Sequence, residues 1–77
     1  MYFFSGRFPM IEHLGQHVTV RNDRGAEYRG ILRAIMPNGD VIMTVEEIRL
    51  TGRGTWQVLK RVENQVITGP TLEDTND

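Results

Sequence analysis

A chain of 77 residues can bury one small core, and without cysteine it has no disulfide to supplement that core, so association with copies of itself is a reasonable source of extra burial. No apolar run approaches membrane-spanning length, and the start Met1-Tyr2-Phe3-Phe4-Ser5-Gly6-Arg7 is too short and too polar for a secretory signal, so a soluble cytoplasmic protein is expected. The formal net charge of −1 is unevenly laid out, because Glu73, Asp74 and Asp77 fall in the last five residues and the remainder carries nine basic against seven acidic side chains.

In chain order, residues 8–16 place Phe8, Ile11 and Leu14 at three-residue steps, with Pro9 suited to a first helical turn and Gly15 to ending one. This predicts a short N-terminal helix. Val18 and Val20 alternate with His17, Thr19 and Arg21 as a first strand, and Asn22-Asp23-Arg24-Gly25 reverses the chain. Residues 28–36 form a second strand, closed by Pro37-Asn38-Gly39-Asp40, where Asn-Gly suits a type I′ hairpin turn. Gly30 lies in mid-strand and marks a sharp bend or a close backbone approach. Residues 41–45 return as the third strand, extending through Glu46-Glu47 towards Ile48-Arg49-Leu50.

Residues 51–55 form a glycine-punctuated loop. Trp56, Val58, Lys60 and Val62 alternate on one side of an expected fourth strand over 56–62. Glu63-Asn64-Gln65 then reads as a turn, Val66-Ile67-Thr68 as a short fifth strand stopped by Gly69-Pro70, and 71–77 as a frayed acidic tail after a single domain over 1–70. Five short strands with tight turns fit a small all-β barrel, which curls to close off its edges.

Chemistry-bearing clusters are sparse. His13 and His17 are four apart, but Gly15 lies between them and no third ligand is evident, so surface histidines rather than a metal site are expected. The one serine, Ser5, lies near the terminus, and Glu46 and Glu47, as sequence neighbours on a strand, point to opposite faces and cannot form a dyad. Neither an enzyme nor a small-molecule cofactor is indicated. A lone Trp56 at a strand start, and the terminal Tyr2, Phe3 and Phe4, are expected in packing contacts rather than on a ligand. Eight of the nine basic residues are arginine, the side chain suited to phosphate forks and to stacking on bases, although a mildly basic body is as common in proteins that never meet nucleic acid.

The order of helix and strands, with Gly25-x-x-Tyr28-x-Gly30-x-Leu32 in the first half, resembles the first motif of the Sm and Sm-like (LSm) RNA-binding proteins. The resemblance implies an SH3-like open barrel of five bent antiparallel strands under an N-terminal helix. It also implies self-association into a homo-oligomeric ring, the fourth strand of one copy joining the fifth strand of the next, with single-stranded RNA bound around a central pore. The family's RNA pocket uses an acidic residue, a stacking side chain and an asparagine in the loop after the second strand, and an Arg-Gly pair in the loop after the fourth. Counted from Gly30, those first three positions fall on Met36, Gly39 and Asp40, while Arg61 matches the arginine and Val62 replaces the glycine. Met36 accepts no base-edge hydrogen bond and Gly39 offers no stacking face. The side chains left to contact RNA are Asn38, Asp40, Arg61 and Asn64, with Arg53 in the long loop. Other arginines at Arg7, Arg21, Arg24 and Arg49 offer phosphate contacts or, singly, ordinary surface ion pairs. Two functions are thus expected in order: a non-enzymatic RNA-binding ring with a degenerate uridine pocket, or a protein-interaction module on the same barrel.

Overall fold

The computed structural model describes residues 10–73, which form an all-β domain: β1 (His17–Arg21), β2 (Glu27–Ile35), β3 (Val41–Arg49), β4 (Gln57–Ile67) and β5 (Thr71–Glu73), preceded by a 3-10 turn over Met10–His13. The predicted N-terminal helix is therefore one short 3-10 turn where it can be seen, with Phe8 and Pro9 outside the described residues. Gly15, at φ 83°, breaks the periodicity after little more than one turn. Its N–H donates to the Leu32 carbonyl at 2.8 Å, and Leu32 N–H to the Gln16 carbonyl at 3.1 Å, which lays the turn against β2. Among the described residues no helix is long and apolar enough to cross a membrane.

The strands build one antiparallel sheet in the order β4-β3-β2-β1-β5. β4 and β5 are its two outer strands and do not pair, so the sheet is open. Val20, Leu32, Val41, Met43, Val45 and Ile67 form the buried core, with Met10, Val18, Tyr28, Ile48, Leu59 and Leu72 packed around it. Full burial of each such aliphatic side chain contributes about 1.5–3 kcal/mol.

The β1–β2 turn forms where expected: Asn22 Oδ1 accepts from the N–H groups of Arg24 and Ala26, both at 2.9 Å, and Gly25 takes φ 92°. The β2–β3 turn sits at the expected residues with a different geometry. Gly39 N–H donates to the Met36 carbonyl at 2.9 Å and Met36 N–H to the Asp40 carbonyl at 2.7 Å, so Pro37 and Asn38 are the central residues and Gly39, at φ 97°, follows them. Proline's fixed negative φ excludes it from the first central place of a type I′ turn, so the loop is one residue longer than an Asn-Gly hairpin.

Gly30 is both bend and close approach. Arg29 pairs with Glu47 and Gly30 with Val45, which leaves Glu46 as a bulged extra residue, and any Cβ on Gly30 would run into the Thr44 carbonyl oxygen.

The C-terminal half departs from the sequence reading. Glu63-Asn64-Gln65 is not a turn: the three pair with Val45, Thr44 and Met43 inside β4. Val66 and Ile67 are the end of that same strand, and the fifth strand is Thr71–Glu73, paired with β1, so the supposed tail begins as sheet. Residues 74–77 lie outside the described residues. The reversal is made by Gly69, at φ 55°, followed by Pro70. β4 also bends: Val58 pairs with Glu47 and Glu63 with Val45, so Leu59, Lys60, Arg61 and Val62 together stand opposite Glu46 alone. The row of Val58, Lys60 and Val62, which shares one side of the strand, is exposed, and Leu59 reaches the core.

Candidate functional site

At one end of the sheet three turns meet. Gly69 N–H donates to Asp40 Oδ1 at 3.3 Å, Asn38 Nδ2 donates to Asp40 Oδ2 at 3.1 Å, and Asp40 N–H donates to Asn38 Oδ1 at 3.0 Å. From the β1–β2 turn, Asp23 N–H donates to the Thr68 carbonyl at 3.0 Å and Thr68 Oγ1 donates to Asp23 Oδ1 at 3.3 Å. The loops after β2 and after β4, named by the resemblance as the two sides of an RNA pocket, are thus in contact. Their chemistry is acidic: Asp23 and Asp40 have no ion pair among the described residues, and Arg24 is the one basic side chain on these turns.

The loop after β4 is Thr68-Gly69-Pro70, which moves the expected Arg-Gly pair. That loop contains a glycine but no arginine. Arg61, matched by the resemblance to the arginine of that loop, lies within the bend of β4. Asn64 lies in mid-strand, where Thr44 Oγ1 donates to its Oδ1 at 2.6 Å and Arg33 Nε donates to Thr44 Oγ1 at 2.8 Å. Arg53 is exposed on the loop between β3 and β4. Of the five predicted contacts the structure therefore joins Asn38 to Asp40 and leaves Arg53, Arg61 and Asn64 elsewhere.

A second constellation crosses the sheet and is not apparent from the sequence. Glu27 is 2 % exposed, and its Oε1 accepts from Arg49 Nε at 2.6 Å while Oε2 faces Arg21 Nη2 at 3.6 Å. Arg21 Nη2 also holds Glu73 Oε2 on β5 at 2.7 Å. Arg49 and Arg29 both lie over the Trp56 ring, at 4.8 and 3.8 Å from its centroid, and Arg29 Nη1 binds Glu47 Oε1 at 3.1 Å. The register explains the assembly, since Arg21, Glu27 and Arg49 are direct partners across β1, β2 and β3. The hydrogen bond from Arg49 holds the Glu27 carboxyl below the usual carboxylate range despite its burial, whereas burial and the neighbouring Glu27 push Glu73 up.

Beside this network a shallow cleft of about 200 Å³ is lined by His17, Thr19, Arg29, Glu46 and Glu47, with His17 Nε2 3.3 Å from Glu46 Oε2. His13 ends the 3-10 turn and His17 begins β1, so the two imidazoles do not share a helix face. The cleft brings together no nucleophile and base.

The arginines divide into two groups. Arg21, Arg29 and Arg49 are held by carboxylates, while Arg24, Arg33, Arg53, Lys60 and Arg61 are exposed and form no ion pair among the described residues. Arg7, Tyr2, Phe3 and Phe4 lie outside the described residues. Compared with models of protein families, with curated proteins and with solved structures, the chain matches none.

Proposed function

We propose that this chain is a non-enzymatic assembly module: an Sm-like, SH3-like open barrel whose copies join head to tail, β4 of one to β5 of the next, in a homo-oligomeric ring. The observation that carries this reading is a pair of unpaired sheet edges with unlike chemistry. Along β4, Val58, Val62 and Val66 are 76, 51 and 55 % exposed, and Lys60-Arg61 lies between them. β5 ends on Glu73, with Asp74 and Asp77 following in the sequence. An exposed apolar edge strand is a liability unless covered, and lysine on the edge discourages pairing with its own kind. Lys60 and Arg61 outnumber Glu63 along β4, so a β4–β5 contact sets a net basic edge against Glu73. Such heterologous contacts close into a ring when the rotation permits.

RNA binding is the second reading, favoured by Arg33, Arg53, Lys60 and Arg61, exposed cations that form no ion pair among the described residues. It does not use the turn cluster, where Asp23 and Asp40 repel phosphate. Phosphate contacts of this kind carry little sequence information and weaken steeply with salt. Sedimentation of the wild type and of a Lys60→Glu, Arg61→Glu variant tests the assembly reading, which predicts a lighter species for the variant; equal masses contradict it. A labelled RNA panel at low and high salt separates the readings, since an absence of binding at low salt removes the second.

A further inference from the structure

The Asn38-Gly39 pair carries chemistry as well as a turn. Asparagine is among the thermolabile side chains, and it loses its amide when the main-chain nitrogen of the next residue attacks its side-chain carbonyl carbon. A following glycine favours that attack, because no Cβ shields the nitrogen and the backbone is free to bring it round. Of the four asparagines only Asn38 precedes a glycine; Asn22 and Asn76 precede aspartate, and Asn64 precedes glutamine. Asn38 and Gly39 are both exposed, and the space where a Gly39 side chain would stand is open.

The fold restrains this chemistry at three points. The Gly39 N–H, whose proton must leave before the nitrogen can attack, donates to the Met36 carbonyl at 2.9 Å. The Asn38 side chain is fastened at both ends, Oδ1 accepting from the Asp40 N–H at 3.0 Å and Nδ2 donating to Asp40 Oδ2 at 3.1 Å. The other Asp40 oxygen, Oδ1, accepts from the Gly69 N–H at 3.3 Å, so the carboxylate that clasps Asn38 also ties the β2–β3 turn to the β4–β5 turn.

We propose that Asn38 is a site of spontaneous deamidation, gated by the Asp40 clasp, and that its product unfastens the junction between the two turns. The Gly39 nitrogen gives its proton to solvent base and bonds to Asn38 Cγ, while the Cγ–Nδ2 bond breaks and ammonia leaves. Water then opens the cyclic imide at either carbonyl, giving aspartate or isoaspartate. Either product loses the Nδ2 donor and gains a carboxylate beside Asp40, and isoaspartate also lengthens the main chain of the turn by one carbon. Asp23 packs against Gly69 and, like Asp40, forms no ion pair among the described residues, so the new charge enters a cluster that is already acidic. Gly69 and Pro70 lead into β5, which pairs only with β1, so loosening their turn weakens the hold on that edge. The consequence for ring assembly rests on the head-to-tail reading; the deamidation itself does not.

Peptide mapping by mass spectrometry of the full chain, aged in mildly alkaline buffer, tests the site. Asn38 is expected to convert to a mixture of aspartate and isoaspartate ahead of Asn22, Asn64 and Asn76, and Asp40→Ala is expected to speed that conversion several-fold. In urea, where the clasp is absent, the two chains are expected to convert at one rate, and exchange of the β2–β3 amides in buffer checks that the variant is folded. Conversion of Asn38 no faster than that of the other asparagines, or a folded Asp40→Ala chain that converts at the wild-type rate, overturns the proposal. Amide hydrogen exchange reads the junction: in Asn38→Asp the Gly69 amide is expected to exchange up to about tenfold faster than in the wild type, the loss of one ordinary hydrogen bond. Unchanged exchange there overturns the link between the turns. Light scattering of the wild type decides the head-to-tail reading separately, since a monomer contradicts that reading and alters neither result.

Discussion

Gly30 is where one added methyl group meets the backbone of the next strand. The collision with the Thr44 carbonyl cannot be relieved by a rotamer change, so Gly30→Ala is expected to cost at least about 3 kcal/mol in urea unfolding, the upper range for overpacking. Gly52→Ala, in open space, should stay within about 0.5 kcal/mol of wild type and serves as the control. Glu27 is the other sensitive residue. Truncation to alanine removes the buried carboxylate that Arg49 and Arg21 both face and is expected to destabilise the chain by the same measurement. Gly30 was legible as a glycine in mid-strand. Glu27 was not, because nothing in the sequence brings it to Arg21 and Arg49 until the strand register is known.

At the scale of elements, β1, β2, β3 and their two turns were readable from alternation and turn residues, while the division between β4 and β5 was not. The reason lies in the position of β4 at the edge. Exposed Glu63 and Asn64 cost an edge strand nothing, so their polarity mimics a turn, and the real reversal at Gly69-Pro70 reads as a stop. The same misreading let Arg61, near the end of the expected strand, be matched to the arginine of a loop that it does not occupy. Because Val58 and Val62 touch solvent and not the core, Val58→Ser with Val62→Ser is expected to leave the unfolding free energy of the isolated chain within about 0.5 kcal/mol while weakening self-association. A large loss of monomer stability in that variant would show that these valines serve the fold and not an edge contact.

At the scale of the whole molecule, a small core and two outer strands left unpaired among the described residues fit the proposed association with another copy. The candidate site was legible only in outline: the loops after β2 and β4 do meet, but Asp23, Asp40 and Thr68 there cannot do the work of a base-stacking, phosphate-binding pocket. An edge contact steered by Lys60 and Arg61 against Glu73 should weaken as salt rises. The most direct measurement is multi-angle light scattering of the wild-type chain at micromolar concentration and low salt. A single species at a fixed multiple of the chain mass is predicted, and a species at the mass of one chain would contradict the assembly on which the account rests.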